Sequence, residues 1–217
     1  MGMFNMSGTK GVKVSTGNGA NYLRAGIHTV TFTGLNKSEK ANAVEFHFEG
    51  EDGAVHNELL FEPRSAERTQ SQFGTNPSEA EQFTCKVKQI IDALNPELGK
   101  MIDEQGEKFD APNFDAFIAL LKKHLDSKVG TTTQIKLLPT SGNFVGMPGF
   151  PARVSKDGGL YMTTKIIGAD LTLTTAEKTK IEAAANARPT QMSQTTELDD
   201  LKDDFETTDS EDDEMPF

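Results

Sequence analysis

The chain has 217 residues, and its 33 acidic and 22 basic side chains give a formal charge of −11. No apolar run is long enough to cross a membrane, residues 1–10 lack the pattern of a secretory signal, and a single cysteine excludes a disulfide framework. The charge is concentrated in residues 189–217, where 11 acids and one base give −10, against −1 for the remaining 188 residues. We therefore expect a nearly neutral body, in a reducing compartment, followed by a disordered acidic interaction tail.

Residues 1–11 are predicted to be a flexible leader, and residues 12–188 are predicted to form one domain. The first strand is predicted over residues 27–35, with Val30 and Phe32 on its core side. A polar loop separates this strand from the next apolar alternation.

Residues 44–61 predict a β-hairpin, because apolar and polar residues alternate on both sides of Asp52-Gly53. This dipeptide is favoured in two-residue hairpin turns, where both positions have positive φ. The resulting register puts Phe46, Leu59 and Phe61 on the core side and Glu58 outside. A turn one residue earlier would oppose Glu58 to another glutamate and is electrostatically worse.

Residues 66–130 are predicted to be a helical insertion. One amphipathic helix is expected to begin at Asn76-Pro77, which offers a cap and a proline at the first helical position, and to end at Asn95-Pro96. A second apolar stripe at helical spacing begins at Phe114 and ends at Leu125.

Strand character returns after the helices. Strands are predicted over residues 131–138 and 143–145, followed by a hairpin over residues 152–163 and a last helix capped by Thr174. Three strands, a helical segment and further strands fit a mainly β OB-fold, a five-stranded Greek-key barrel with helices between the third and fourth strands. An α+β sheet with helices on one face fits almost as well.

No catalytic residue, cofactor or metal site is predicted. Gly17-Asn18-Gly19 lacks the third glycine of a dinucleotide loop, and no phosphate-binding G-x-x-x-x-G-K-[ST] is present. His47 and His56 approach each other across the hairpin, but no second pair of ligands has metal-binding spacing. Cys85 lies near an apolar helical stripe and is expected to be a buried, inert thiol. These features favour a protein that is not an enzyme.

The acidic tail closes with a distinctive sequence. Acids are followed by an apolar residue, a proline and a phenylalanine, in the order Asp212, Asp213, Glu214, Met215, Pro216 and Phe217. The ring and carboxylate of the last residue suit an apolar partner pocket that holds one cation, and the acids add long-range attraction to a basic rim. This ending resembles the C-terminal peptide of bacterial single-stranded DNA-binding proteins.

The body is similar to the single-stranded DNA-binding proteins of tailed bacteriophages. The similarity lies in the strand at residues 26–30, the Phe46/Phe48 hairpin, the helical insertion and residues 142–145. The resemblance implies an OB-fold that binds and protects single strands without sequence preference in phage replication, recombination and repair, in the cytoplasm of the host. It also implies that residues 212–217 recruit a polymerase, helicase or nuclease, while self-association stays open.

Sequence-independent binding needs cations along the DNA backbone and flat rings for the bases. Residues 1–30 hold three bases and no acid, and residues 128–180 hold seven bases and three acids, so we expect the DNA path on the strands. The candidate contacts are Lys13, Tyr22, Arg24, Lys37, Lys136, Phe144, Phe150, Arg153, Lys156, Tyr161 and Lys165. For Phe144 and Phe150, a place in the core fits equally well.

The tail has a second expected role, because its charge mimics a DNA backbone and its last residue mimics a base. Tethered to the body, it competes with weak DNA binding at an effective concentration on the order of millimolar. Two other classes stay open. One is an acidic scaffold or inhibitor that mimics DNA and binds a DNA-processing enzyme, and the other is a hydrolase whose motif is not recognised.

Overall fold

The computed structural model describes residues 21–72, 74–140 and 144–186. The expected leader, Lys13 and the acidic tail lie outside these residues. The strands and α-helices of the described part are β1 (Gly26–Lys37), β2 (Ala43–Gly50), β3 (Val55–Phe61), β4 (Thr69–Ser71), β5 (Gly74–Asn76), α1 (Glu79–Leu94), α2 (Pro96–Gln105), α3 (Phe114–Leu125), β6 (Thr132–Pro139), β7 (Val145–Gly146), β8 (Ala152–Val154), β9 (Leu160–Met162) and α4 (Thr175–Asn186).

Five of these strands form one sheet in the order β3-β2-β1-β6-β7, and each neighbouring pair is antiparallel. The sheet curls into a nearly closed barrel. Its two edge strands meet where the backbone N–H of Met147, just after β7, donates to Oε2 of Glu58 on β3 at 2.9 Å. The described protein is thus mainly β, with the predicted helices inserted between the third and fourth strands of the barrel.

β1 bends around the barrel at Gly34. Val30 and Phe32 are buried as predicted, and Leu35, three positions further on, is buried as well. A register shift against β2 between Phe32 and Gly34 changes the alternation, and Gly34 has a φ of +144°. A β-bulge of this kind bends a strand, and glycine adopts this φ without the steric cost of a side chain.

The β2–β3 hairpin has a three-residue turn instead of the predicted two-residue turn. The N–H of Gly53 donates to the carbonyl of Gly50 at 3.0 Å, and the N–H of Gly50 donates to the carbonyl of Ala54 at 2.7 Å. Gly53 has a φ of +74°, whereas Asp52 has no positive φ. This is a type I turn closed by a glycine bulge. Phe46 therefore faces Glu58, and the predicted register is wrong by one residue.

The shift exchanges the two faces of β3, because neighbouring side chains of a strand point to opposite sides. His56, Glu58 and Leu60 are buried inside the barrel, while Leu59 and Phe61 are exposed on the outside. Leu59 and Phe61 are therefore not core residues, contrary to the prediction. His56 and His47 lie on opposite faces of the hairpin and do not approach each other as expected.

The helical insertion begins later than predicted. β4 and β5 pair antiparallel ahead of α1, and the cap of α1 is Ser78, whose hydroxyl accepts the N–H of Glu81 at 3.1 Å. α1 ends at Leu94 as predicted, and Asn95-Pro96 opens α2. The apolar stripes of α1 and α3 join the inward side chains of the barrel in one core.

α1 also carries a row of two glutamines that hydrogen-bond to the backbone of the C-terminal part of the fold. The side-chain amide of Gln82 exchanges two hydrogen bonds with the backbone of Ala152, at 3.0 and 3.1 Å. One heptad later, Gln89 donates to the carbonyl of Thr164 at 3.0 Å and accepts the N–H of Ile166 at 2.9 Å. Both glutamines are buried, and buried amides are stable where their polar atoms are satisfied. The row therefore positions β8 and the segment that pairs with β6.

Candidate nucleic-acid interface

Exposed rings stand at both ends of the outward face of β3. Tyr22 forms a parallel bridge with Val55 and is 62% exposed, and Phe61, the last residue of β3, is 63% exposed. At about 3.3 Å per residue along a strand, Val55 and Phe61 are about 20 Å apart. Leu59 lies between them on the same side. The face therefore combines two flat rings with an apolar strand.

A row of polar side chains crosses this face at Asn57. Its Oδ1 lies 3.0 Å from His47 Nδ1, and His47 Nε2 lies 3.5 Å from Asn36 Nδ2. Lys122 Nζ, on α3, donates to Asn36 Oδ1 at 3.2 Å. Amide, imidazole and ammonium groups hydrogen-bond to phosphates and sugars as well as to bases. The row therefore adds polar contacts beside the rings.

The burial of Glu58 makes this face less acidic than the sequence predicted. Its Oε1 accepts from Lys86 Nζ at 2.8 Å, and its Oε2 lies 2.9 Å from His56 Nε2. Burial alone raises the pKa of Glu58, but the hydrogen bond to His56 and the charge of Lys86 outweigh it and hold the pKa below its ordinary value. The charge is thus kept inside, and Glu45 and Glu49 are the acids that remain outward on β2 and β3.

A second surface with rings and cations is the predicted β8–β9 hairpin. Arg153 and Tyr161 are directly opposed across it, so their Cβ atoms are about 4.5–5.5 Å apart on one face. Tyr161 is 50% exposed and Phe150, which precedes β8, is 73% exposed. Lys156 lies in the exposed turn of the hairpin. Of the two interpretations open for Phe150, the structure excludes the core position.

Two predicted DNA contacts are instead engaged by carboxylates. Lys136 is only 4% exposed, because α4 covers the outer side of β6, and its Nζ lies 3.1 Å from Glu177 Oε2. Lys37 Nζ lies 2.6 Å from Asp115 Oδ1 on α3. Lys136 is therefore withdrawn from the surface on which DNA was expected, and the charge of Lys37 is partly neutralised.

The other predicted contacts lie at two clefts and one loop. Arg24 lines a cleft of about 470 Å³ together with Tyr22. Lys165 lines a cleft of about 880 Å³ that is rich in threonine, and it donates to the carbonyl of Ala169 at 2.7 Å. Phe144 is 76% exposed just before β7, which excludes a core position for this ring too.

Phe61 and Leu59 are interface candidates that the predicted register concealed. The residues Glu51-Asp52-Gly53 are compatible with the observed register, because a glycine in third position also fits a three-residue turn. The buried polar cluster of Glu58 and Lys86 was missed for a different reason. Charged residues are almost never fully buried unless paired, and the pairing joins residues 28 positions apart.

Within residues 21–72, 74–140 and 144–186, no three His, Cys, Asp or Glu side chains are grouped so that they would hold a metal ion. In the same part of the chain, no helix has the length and apolar character that a membrane crossing requires. Cys85 is buried as predicted, and burial raises the pKa of its thiol.

Comparisons with known proteins add neither a family nor a function. Searches against protein-family models, curated proteins and solved structures found no match.

Proposed function

We propose that this protein binds single-stranded DNA without sequence preference, on a barrel of the OB type. The observation that carries the proposal is the register of β3, which buries Glu58 and turns Leu59 and Phe61 outward. Exposed rings on a sheet face suit base stacking, which tolerates any sequence because every base has a flat face.

The strand order supports the OB assignment. With β6 and β7 counted as the fourth and fifth strands, the order is 3-2-1-4-5, and the helices lie between the third and fourth strands. OB-folds bind oligonucleotides on the face of strands two and three and on the loops that join strands one to two and four to five. Lys40 and Phe144 are exposed residues of those two connections.

In this proposal, stacking and charge act on two surfaces, the outward face of β3 and the β8–β9 hairpin. Tyr22 and Phe61 stack on bases, and the β8–β9 hairpin adds Tyr161 with Arg153 and Lys156. Neither Arg153 nor Lys156 forms an ion pair with a described carboxylate, so both charges are available for phosphates. The body is nearly neutral, and stacking therefore carries a large share of the affinity.

The acidic segment completes the proposed function. Residues 197–217 compete with DNA for the same surface, and residues 212–217 recruit a polymerase, helicase or nuclease. The support is the sequence itself, in which an acidic run precedes Met215-Pro216-Phe217. The biological setting that we propose is phage DNA replication, recombination and repair.

The direct test is the affinity of the full chain for a labelled oligo-dT longer than about 16 nucleotides, the upper site size of one OB-fold. We expect binding to oligo-dT and much weaker binding to a duplex of the same length. Phe61→Ala is expected to weaken binding about five-fold to 150-fold, because one stacked base contributes about 1–3 kcal/mol. Met101→Ala removes an exposed apolar side chain of α2 and serves as the matched control. Equal losses in the two variants contradict the site.

A second candidate, an acidic scaffold or inhibitor that mimics DNA, is favoured by one observation. Both Lys37 and Lys136 are engaged by carboxylates, which leaves fewer cations for DNA than the sequence suggested. The same experiment separates the two functions. A full chain that binds no oligo-dT at low salt supports the scaffold.

A further inference from the structure

A shallow apolar groove of about 670 Å³ lies among α1, α3 and the residues that follow α2, and none of the proposed DNA contacts lines it. Its floor contains Phe83, Phe114 and Phe117, whose ring centroids are 5.6 to 6.4 Å apart. Each of these side chains is half-buried, so the cluster belongs to the core on one side and is open to the groove on the other. Aromatic clusters at the centre of a surface groove are typical anchors of protein–peptide contacts.

The rim of the groove is acidic. Glu62, Asp103 and Asp110 line it. Lys88, the lysine among the described lining residues, is already bound by Asp92 at 2.6 Å and by Asp103 at 3.1 Å. The described side chains therefore place a negative field above an apolar floor, which repels DNA.

We infer that this groove docks a peptide segment of a partner protein that carries apolar and aromatic anchors flanked by Lys or Arg. The anchors fill the aromatic floor, and the flanking cations face the acidic rim, which orients the peptide and speeds its association. The acidic tail of this chain fits less well, because its charge has the same sign as the rim. None of the proposed DNA contacts lines the groove, although Glu62 and Met162 follow two of them in the chain. The proposal assigns partner contacts to the helical insertion.

The test uses the ¹⁵N-labelled full chain and three synthetic peptides of equal length. The first has Phe and Leu anchors with Lys flanks, the second keeps the flanks but has Ala anchors, and the third keeps the anchors but has Glu flanks. We expect the first to shift the amide resonances of groove residues and to bind at least ten-fold more tightly than the others. Equal affinity of the Glu-flanked peptide, or shifts that avoid the groove, overturns the proposal.

Two variants separate the groove from general charge attraction. Thr84→Trp starts from an exposed, groove-lining position on α1, so it fills the groove without removing a core side chain, and we expect at least a ten-fold loss. Asp110→Lys is expected to weaken the first peptide about five-fold. Glu182→Lys, an equal charge reversal on the exposed side of α4, is the matched control and should leave the affinity nearly unchanged. Equal losses at Asp110 and Glu182 contradict the site.

A further experiment tests whether the acidic tail of this chain occupies the groove instead. A peptide with the sequence of residues 209–217 is added to the complex of the full chain with the first peptide. We expect no displacement from the groove. Displacement, with shifts at the same groove amides, assigns the groove to the tail of this chain and overturns the proposal.

Discussion

The carboxylate of Glu58 and the backbone N–H of Met147 join the two edge strands of the barrel across 2.9 Å. The other oxygen of that carboxylate binds Lys86, so α1 contacts the same carboxylate. Had β3 taken the predicted register, Glu58 would face solvent and Lys86 would be buried without its anion. The ion pair therefore accounts for the orientation of β3, and it connects the closure of the barrel to the exposure of Phe61.

Glu58→Gln is expected to destabilise the protein by about 3–5 kcal/mol, because removing one partner leaves the buried Lys86 ammonium without a counter-charge. Urea unfolding followed by far-UV circular dichroism measures the loss. The matched control is Glu45→Gln on the outward side of β2, for which we expect a change within about 0.5 kcal/mol.

The double variant Glu58→Leu/Lys86→Met sharpens this test. Replacing both partners of a buried ion pair by apolar residues costs much less than removing one. We expect the double variant to be more stable than Glu58→Leu alone. The opposite order would contradict the claim that the buried Lys86 ammonium depends on Glu58 as its counter-charge.

The stability should fall at acid pH, and Glu58 should account for part of the fall. Its folded pKa is held below the ordinary value of 4.5 by His56 and Lys86, in spite of burial. The unfolded state therefore takes up the proton first. The stabilisation is present above the unfolded pKa and disappears as the pH falls through the folded pKa. Urea unfolding at several pH values should show a shallower acid dependence for Glu58→Gln than for the unaltered chain, and parallel curves would contradict this.

Phe61→Trp provides a direct reading of the β3 register, because the chain contains no tryptophan. We expect red-shifted emission and efficient quenching by acrylamide, since position 61 is exposed, and a change in emission on addition of oligo-dT. Phe46→Trp, in the core, should show blue-shifted and protected emission. Protected emission at position 61 would instead support the predicted register, which has a two-residue turn.

The salt dependence of DNA binding should distinguish the predicted DNA contacts that are exposed from those that are bound by carboxylates. The logarithm of affinity falls with the logarithm of salt concentration by about 0.7 per phosphate neutralised on single strands. Arg153→Gln is expected to reduce that slope by about 0.7, since its side chain is exposed. Lys136→Met should leave the slope unchanged, because Lys136 is buried against Glu177. The slopes come from fluorescence anisotropy titrations over a series of salt concentrations.

Deletion of residues 197–217 is expected to tighten binding to oligo-dT at low salt and to reduce the salt slope only slightly, because in the proposed function this segment competes with DNA. Replacing Met215, Pro216 and Phe217 by serine keeps the acids and serves as the control. This variant should retain most of the competition while losing partner recruitment. Unchanged affinity after deletion counts against competition by the tail.

The sequence by itself determined the features that depend on near neighbours. Alternation located β1 and the β8–β9 hairpin, helical spacing located the stripes of α1 and α3, and Asn95-Pro96 marked the end of α1. The mainly β class with inserted helices followed from the order of these elements. Charge counting separated the acidic segment from the body.

Only the tertiary structure decided which side of β3 faces the core and which cations remain free. Two- and three-residue turns are both compatible with the residues around Asp52-Gly53, so the local pattern left the register open. The register is decided by contacts between residues that lie far apart in the chain. Glu58 contacts Lys86 and Met147, which are 28 and 89 positions away. In the same way, the placement of α4 over β6 withdrew Lys136 from the surface. One residue of turn length thus exchanged a buried ring for an exposed one, because the two faces of a strand alternate with a period of two.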